Sequence, residues 1–196
     1  MKVAYQGLPG AFGHQAALAF APGYEPVAEP SFAAVVAAVA EGRAERGVLP
    51  IENNEAGPVE EARALLEAGK VDVIAEPVLP VRMHLLGLPG ARLEDVRTAV
   101  SHPVALRQCT KTLDRLGLAP EEAPNTAIAA AGLRDPARAV LASEAAAEAY
   151  GLVILLRDVH DRPDNATRFA LLAPRGVADT ASRHSSAAAQ DPPRVA

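Results

Sequence analysis

Four polar clusters hold the residue types that can act on a small charged molecule. Glu52 and Asn53 end the apolar run Val48, Leu49 and Ile51, with Asn54 and Glu55 behind them. Asn53 can both donate to and accept from a ligand oxygen. Glu52, if ionised, repels an anion, so its expected work is to orient neighbours or to act with a raised pKa. Ser101 and Gln108 frame a second cluster, Ser101-His-Pro-Val-Ala-Leu-Arg-Gln-Cys109. Ser31 precedes an apolar helical run and can cap it or meet a carboxylate beside free amide groups. Asn165-Ala-Thr-Arg-Phe169 closes the set, and its Arg168 can clasp a carboxylate with two parallel hydrogen bonds.

Each cluster also has a plainer reading. Ser31, Ser101 and His102 suit helix caps. Gln108 suits a solvated helix face. Thr167 suits a β-branched residue opening a strand. Arg168 suits a surface partner for Asp161 or Asp164. Cys109 falls on an apolar helix face and reads as a small core residue. The histidines have no metal-ligand spacing, and one cysteine excludes an intrachain disulfide. Gly7 and Gly10 make a tight turn and lack the third glycine of a dinucleotide fingerprint.

The elements that must position these residues alternate strand and helix. Val3 to Tyr5, a weak strand near Val27 and Val48 to Ile51 read as strands. Ala11 to Phe20 and Phe32 to Glu41 read as helices, the second ended by Gly42. Gly57 and Pro58 read as the cap and first turn of a helix bearing Val59, Ala62, Leu65 and Leu66. Val71 to Leu88 is strand-rich but broken by Pro77 and Pro80, which marks a crossing into a second lobe. There Leu93 to Val96 is a helical turn, and Ala99 and Val100 end a strand. Pro103 opens one helix with Leu106, Cys109, Leu113 and Leu116 on a single face. Thr126 to Leu133, the strand Ala139 to Leu141 and a helix capped by Ser143 follow. Val153 to Leu156 and Phe169 to Leu172 are the last strands. The predicted fold class is α/β, in two lobes joined by two crossings. Lobe one spans about 1–76 plus 157–175, lobe two spans about 77–156, and 176–196 reads as a disordered tail.

Composition narrows the function. Of the 196 residues, 49% are hydrophobic, enough for a sizeable core, and the net charge of -5 comes with no basic stripe for nucleic acid. No apolar run approaches a membrane span, and the start reads as a strand rather than a signal peptide. A soluble cytoplasmic protein is expected.

In order and spacing, Tyr5-Gln-Gly-Leu-Pro-Gly-Ala-Phe12, Gly47 to Pro58, Ser101 to Cys109, Ala142-Ser-Glu-Ala-Ala-Ala-Glu-Ala-Tyr-Gly151 and Asn165 to Phe169 resemble the prephenate dehydratase family over about residues 1 to 175. The resemblance implies a fold like a type II periplasmic binding protein, with the active site in the cleft between lobes. It implies decarboxylating dehydration of prephenate to phenylpyruvate in phenylalanine biosynthesis, without cofactor or metal, by a homodimer. It makes Thr167 the residue that assists departure of the ring hydroxyl, with Glu52 and Asn53 as catalytic partners. Ser31, Ser101, Gln108, Arg168 and Phe169 would then bind substrate, and His102 would be structural. Members usually have Ser where this chain has Asn54 and Pro58. Many carry a C-terminal ACT domain that binds phenylalanine, and the tail here is shorter than the about 50 residues such a domain needs. Arogenate dehydration, non-aromatising decarboxylation of prephenate and a non-catalytic carboxylate-binding module are the alternatives. The decarboxylases lose the Thr-Arg-Phe pattern that this chain keeps.

Overall fold

The computed structural model describes residues 1–176. The expected tail therefore lies, save for its first residue, outside the described residues. Lobe one runs β1 (Lys2–Gln6), α1 (Phe12–Phe20), β2 (Glu25–Glu29), α2 (Phe32–Ala40), β3 (Arg46–Asn53), β4 (Gly57–Pro58), α3 (Glu60–Glu67), β5 (Val71–Ala75) and β6 (Val78–Pro80). Lobe two runs β7 (His84–Gly87), β8 (Thr98–Ser101), α4 (Pro103–Arg107), α5 (Thr110–Leu116), β9 (Ala119–Glu122), α6 (Thr126–Gly132), β10 (Arg138–Ala142), α7 (Glu144–Tyr150) and β11 (Val153–Leu156). The chain then returns to lobe one as β12 (Ala166–Pro174).

Each lobe is one sheet with helices on both faces. The first has the order β2-β1-β3-β12-β5, with β4 added to β3 and β6 to β12. The second has the order β11-β7-β10-β8-β9. Strand periodicity divides the first core. Ala4, Leu49, Ala170 and Leu172 face α2 and α3, whereas Val3, Tyr5, Val48 and Phe169 face α1. In the second lobe Leu85, Ala99 and Leu141 pack on α4 and α5, while Leu86, Val140 and Ala142 pack on α6 and α7. The two crossings lie side by side. Val81 N–H donates to Asn165 O at 2.8 Å, and Val159 N–H donates to Met83 O at 2.8 Å.

Several elements differ from the sequence expectation. Gly57 and Pro58 form a short strand antiparallel to β3, with Asn53 opposite Gly57 and Glu52 opposite Pro58. Gly57 takes φ +85°, the left-handed region open to glycine, and the helix cap moves to Val59. β6 still pairs with β12, so the first crossing comes after Pro80 rather than at 77. The single helix expected after Pro103 breaks at Gln108 and Cys109. Asp161 causes the break: its N–H donates to Gln108 O at 2.7 Å, and its carboxylate accepts from Lys111 N at 3.1 Å, capping α5. β9 is polar and exposed and gives no apolar signal.

The register of β3 against β12 matters most for function. Thr167 lies opposite Asn53 and Arg168 opposite Glu52, but Phe169 lies opposite Pro50. Ile51 is thus an extra residue on β3, a β-bulge. It packs with the α2 and α3 core, and Glu52 follows it to that face. Pro50 and Asn53 are left together on the opposite face.

Candidate active site

A cleft of about 290 Å³ opens between the lobes. Lobe one contributes Val48, Pro50 and Asn53 from β3, Thr167 and Phe169 from β12, and Phe12, Gly13 and Phe32 from the starts of α1 and α2. Lobe two contributes Val81 and Met83 from the crossing, His102 and Gln108 from the ends of α4, and Asn125 and Thr126 from the start of α6. The apolar part suits a carbon ring, and the polar groups gather around it. Among the described residues lining the cleft, none is Lys, Arg, Asp or Glu. Positive potential instead comes from backbone N–H groups, since α1 and α2 both begin here. α1 has no side-chain cap at its first turn.

Asn53 and Thr167 form the chemical centre. Two backbone donors fix the Asn53 amide: Glu55 N–H and Ala56 N–H reach Oδ1 at 3.0 and 2.8 Å. Nδ2 must then face β12, where it donates to Asn165 Oδ1 at 2.9 Å, Ala166 O at 3.0 Å and Thr167 Oγ1 at 3.0 Å. The Thr167 oxygen therefore acts as an acceptor toward Asn53, which leaves its own proton free to be donated. Thr167 is buried, so that proton works in a site of low dielectric. Asn54 staples the same loop: its side chain donates to Asp164 O at 2.6 Å and accepts from Ala166 N at 3.0 Å.

The remaining predicted residues divide. Gln108 and Phe169 reach the cleft with Thr167 and Asn53. Ser31 caps α2 by accepting from Ala34 N at 3.1 Å and stands next to the lining Phe32. Ser101 is buried behind the cleft wall and donates to Leu141 O at 2.7 Å, tying β8 to β10. Glu52 and Arg168 point to the other face of the sheet, where Glu52 bonds Arg63 at 3.2 Å and Arg168 at 3.5 Å. Arg168 also meets Glu76 at 3.8 Å, not the expected Asp161 or Asp164. Neither lines the cleft, because the bulge at Ile51 inverts the alternation that would have placed Glu52 there. His102 is a cap, with Nδ1 accepting from Val104 N at 3.2 Å. Cys109 is fully buried, and desolvation pushes its thiol up to about 12.

Asn125, Thr126, Phe12 and Asn165 escaped the sequence reading as site residues. Asn125 with Thr126 ahead of an alanine run is a readable helix start, and Asn125 Oδ1 accepts from Ile128 N at 2.7 Å. Asn165 lies two residues before Thr-Arg-Phe and orients Asn53 from behind. Among the described residues no three His, Cys, Asp or Glu side chains converge to hold a metal ion. No helix among them is long and apolar enough to cross a membrane.

The family model for prephenate dehydratase matches residues 3–176. The chain belongs to the prephenate dehydratase family. It is 38% identical to the arogenate dehydratase/prephenate dehydratase 1 of Arabidopsis thaliana, a chloroplastic protein, over 88% of this chain and 45% of the relative. It thus spans about half the length of the curated relatives it matches. A solved structure described as a novel type of quorum-quenching acylase, GqqA, is 38% identical with TM-score 0.84, over 90% of this chain and 65% of that one. The prephenate dehydratase of Arthrobacter aurescens in complex with L-Phe is 28% identical with TM-score 0.81, over 90% of this chain and 61% of that one. The methionine-binding protein MetQ, at 12% identity and TM-score 0.51, shares the fold over 91% of this chain. The expected binding-protein architecture is present.

Proposed function

We propose that this cleft converts prephenate to phenylpyruvate, carbon dioxide and water. The observation that carries the reading is the Thr167 hydroxyl, buried at the cleft and accepting from Asn53, with its proton free. In the reaction the ring carboxylate leaves as carbon dioxide, and the bonding electrons expel the ring hydroxyl as the ring becomes aromatic. Thr167 donates its proton toward the departing oxygen, water forms, and solvent returns the proton to Thr167. Asn53 stabilises the charge that grows on Oγ1 during the transfer. An alcohol is a weak acid, so its effect rests on placement. Amide groups at the starts of α1 and α2, with Gln108, Asn125 and Thr126, supply donors for the two substrate carboxylates.

The substrate side chain is read as pyruvyl. An amino acid side chain, as in arogenate, brings an ammonium group, and among the described residues none lining the cleft is acidic. We further propose a cytoplasmic homodimer acting in aromatic amino acid biosynthesis, which sizing and fractionation test. The enzymatic test is turnover of prephenate and of arogenate side by side, followed as phenylpyruvate and phenylalanine. Preference for prephenate supports the reading. Preference for arogenate moves the substrate, and binding without turnover returns the cleft to a carboxylate-binding module.

A further inference from the structure

The turn between β1 and α1 belongs to lobe one, yet lobe two holds it. Ser143 Oγ donates to Gly10 O at 2.7 Å while accepting from Ala146 N at 3.1 Å, so one buried hydroxyl caps α7 and grips the opposite lobe. At the other end of α7, Tyr150 Oη donates to Pro9 O at 2.8 Å. Gly10 is buried against the helix, at φ +83°, and a Cβ there would lie 2.6 Å from Ala146 Cα. Its N–H is bound within lobe one by His14 Nδ1 at 3.1 Å. Gly10 is thus fixed from both lobes, and the next residues, Ala11, Phe12 and Gly13, line the cleft.

We infer that Ser143, Tyr150 and Gly10 form a latch between the lobes, with Ser143 and Tyr150 as positioning residues that hold the cleft closed around the substrate and set the place of the α1 amino terminus. Among the described residues the backbone passes between the lobes at two crossings, which lie side by side and permit hinge motion, and Phe12 packs across onto the lobe-two core. Opening the lobes must break both carbonyl contacts and unseat Gly10 from α7. A substrate that binds the closed form gains affinity in proportion to the closed population, so the latch acts on KM and leaves the proton step of Thr167 untouched. The kinetic part of this inference rests on the prephenate reading, whereas the lobe motion does not.

The test uses spin labels at Glu67→Cys in lobe one and Arg115→Cys in lobe two, both exposed, with the native Cys109 buried. Tyr150→Phe removes a single oxygen at the edge of the contact. Gly10→Ala drives a methyl group into α7. Ser143→Thr keeps the hydroxyl and serves as the rescue for Ser143→Ala. Tyr150→Phe and Gly10→Ala should add a longer inter-lobe distance that saturating prephenate reverses, and Ser143→Thr should restore what Ser143→Ala loses. KM should rise by about 2- to 10-fold for Tyr150→Phe, the worth of one hydrogen bond, with kcat nearly constant. Should Gly10→Ala fail to fold, Tyr150→Phe decides alone. Unchanged distances in the folded variants would overturn the latch whatever the kinetics. Longer distances with an unchanged KM would overturn its role in binding. Longer distances in a protein that never turns over prephenate would keep the latch and remove the substrate reading.

Discussion

Replacing Thr167 by Val should abolish most turnover while hardly touching the fold. Asn53 Nδ2 has two protons and three acceptors, Asn165 Oδ1, Ala166 O and Thr167 Oγ1, at 2.9 to 3.0 Å. Removing the hydroxyl leaves two protons and two acceptors, so no buried donor is orphaned. Valine fills nearly the same volume and suits a strand. The stability loss should therefore stay below about 1 kcal/mol, the net worth of one shared hydrogen bond. For a domain of this size that is a fall of about 2–4 °C in Tm. Turnover loses a positioned proton donor, worth on the order of 10²- to 10⁴-fold, or roughly 3 to 5 kcal/mol of barrier. KM should change less, since the donor acts mainly on charge present in the transition state. Thr167→Ser keeps the oxygen but frees its rotamer and should retain much more activity than Val. The assay is initial-rate formation of phenylpyruvate by absorbance, beside a thermal melt of each variant. A folded Thr167→Val protein with near wild-type turnover would falsify the assigned role.

Asn54→Ala removes both staples to the 164–166 segment, so Tm should fall by several degrees and kcat should drop with it as Thr167 loses its register; an unchanged kcat would show that the loop holds itself. Glu52→Gln and Arg168→Met alter a half-exposed ion pair behind the sheet, so KM for prephenate should stay within about 3-fold of wild type, and a 100-fold rise would put Arg168 on the substrate. Burial lowers the pKa of His14 and of His84 from the ordinary 6.5, and each accepts a backbone N–H at Nδ1, from Gly10 and Asp158 respectively. The unfolded chain then binds these protons first, so stability is full above about pH 6.5 and declines as pH falls toward the lowered values. Denaturant midpoints that rise on acidification through that window would contradict this.

Much of the fold was legible because its strands are short apolar runs and its caps are ordinary ones. Ser31 and Ser143 both cap the helices that follow them. The site was legible in part. Asn53, Gln108, and the pair Thr167 and Phe169 came from three separate motifs and meet in one cleft. Glu52 and Arg168 did not, because a single bulge at Ile51 shifts the alternation and no local signal announces it. The break between α4 and α5 was equally hidden, since its cause, Asp161, arrives from the second crossing. Asn54, where members usually have serine, ties two backbone groups of the 164–166 segment to its loop. The latch lay in two quoted motifs whose contact only the tertiary structure brings about.

The Asn53–Thr167 pair is proposed to turn over prephenate in this cleft. The most direct measurement is the stoichiometry of products when purified protein meets prephenate, with chelator present and Thr167→Val as control. One phenylpyruvate and one carbon dioxide are expected for each prephenate consumed, at a rate that the control loses. Carbon dioxide released without phenylpyruvate would contradict it in favour of a non-aromatising decarboxylase, and prephenate bound but recovered intact would contradict it in favour of a binding module.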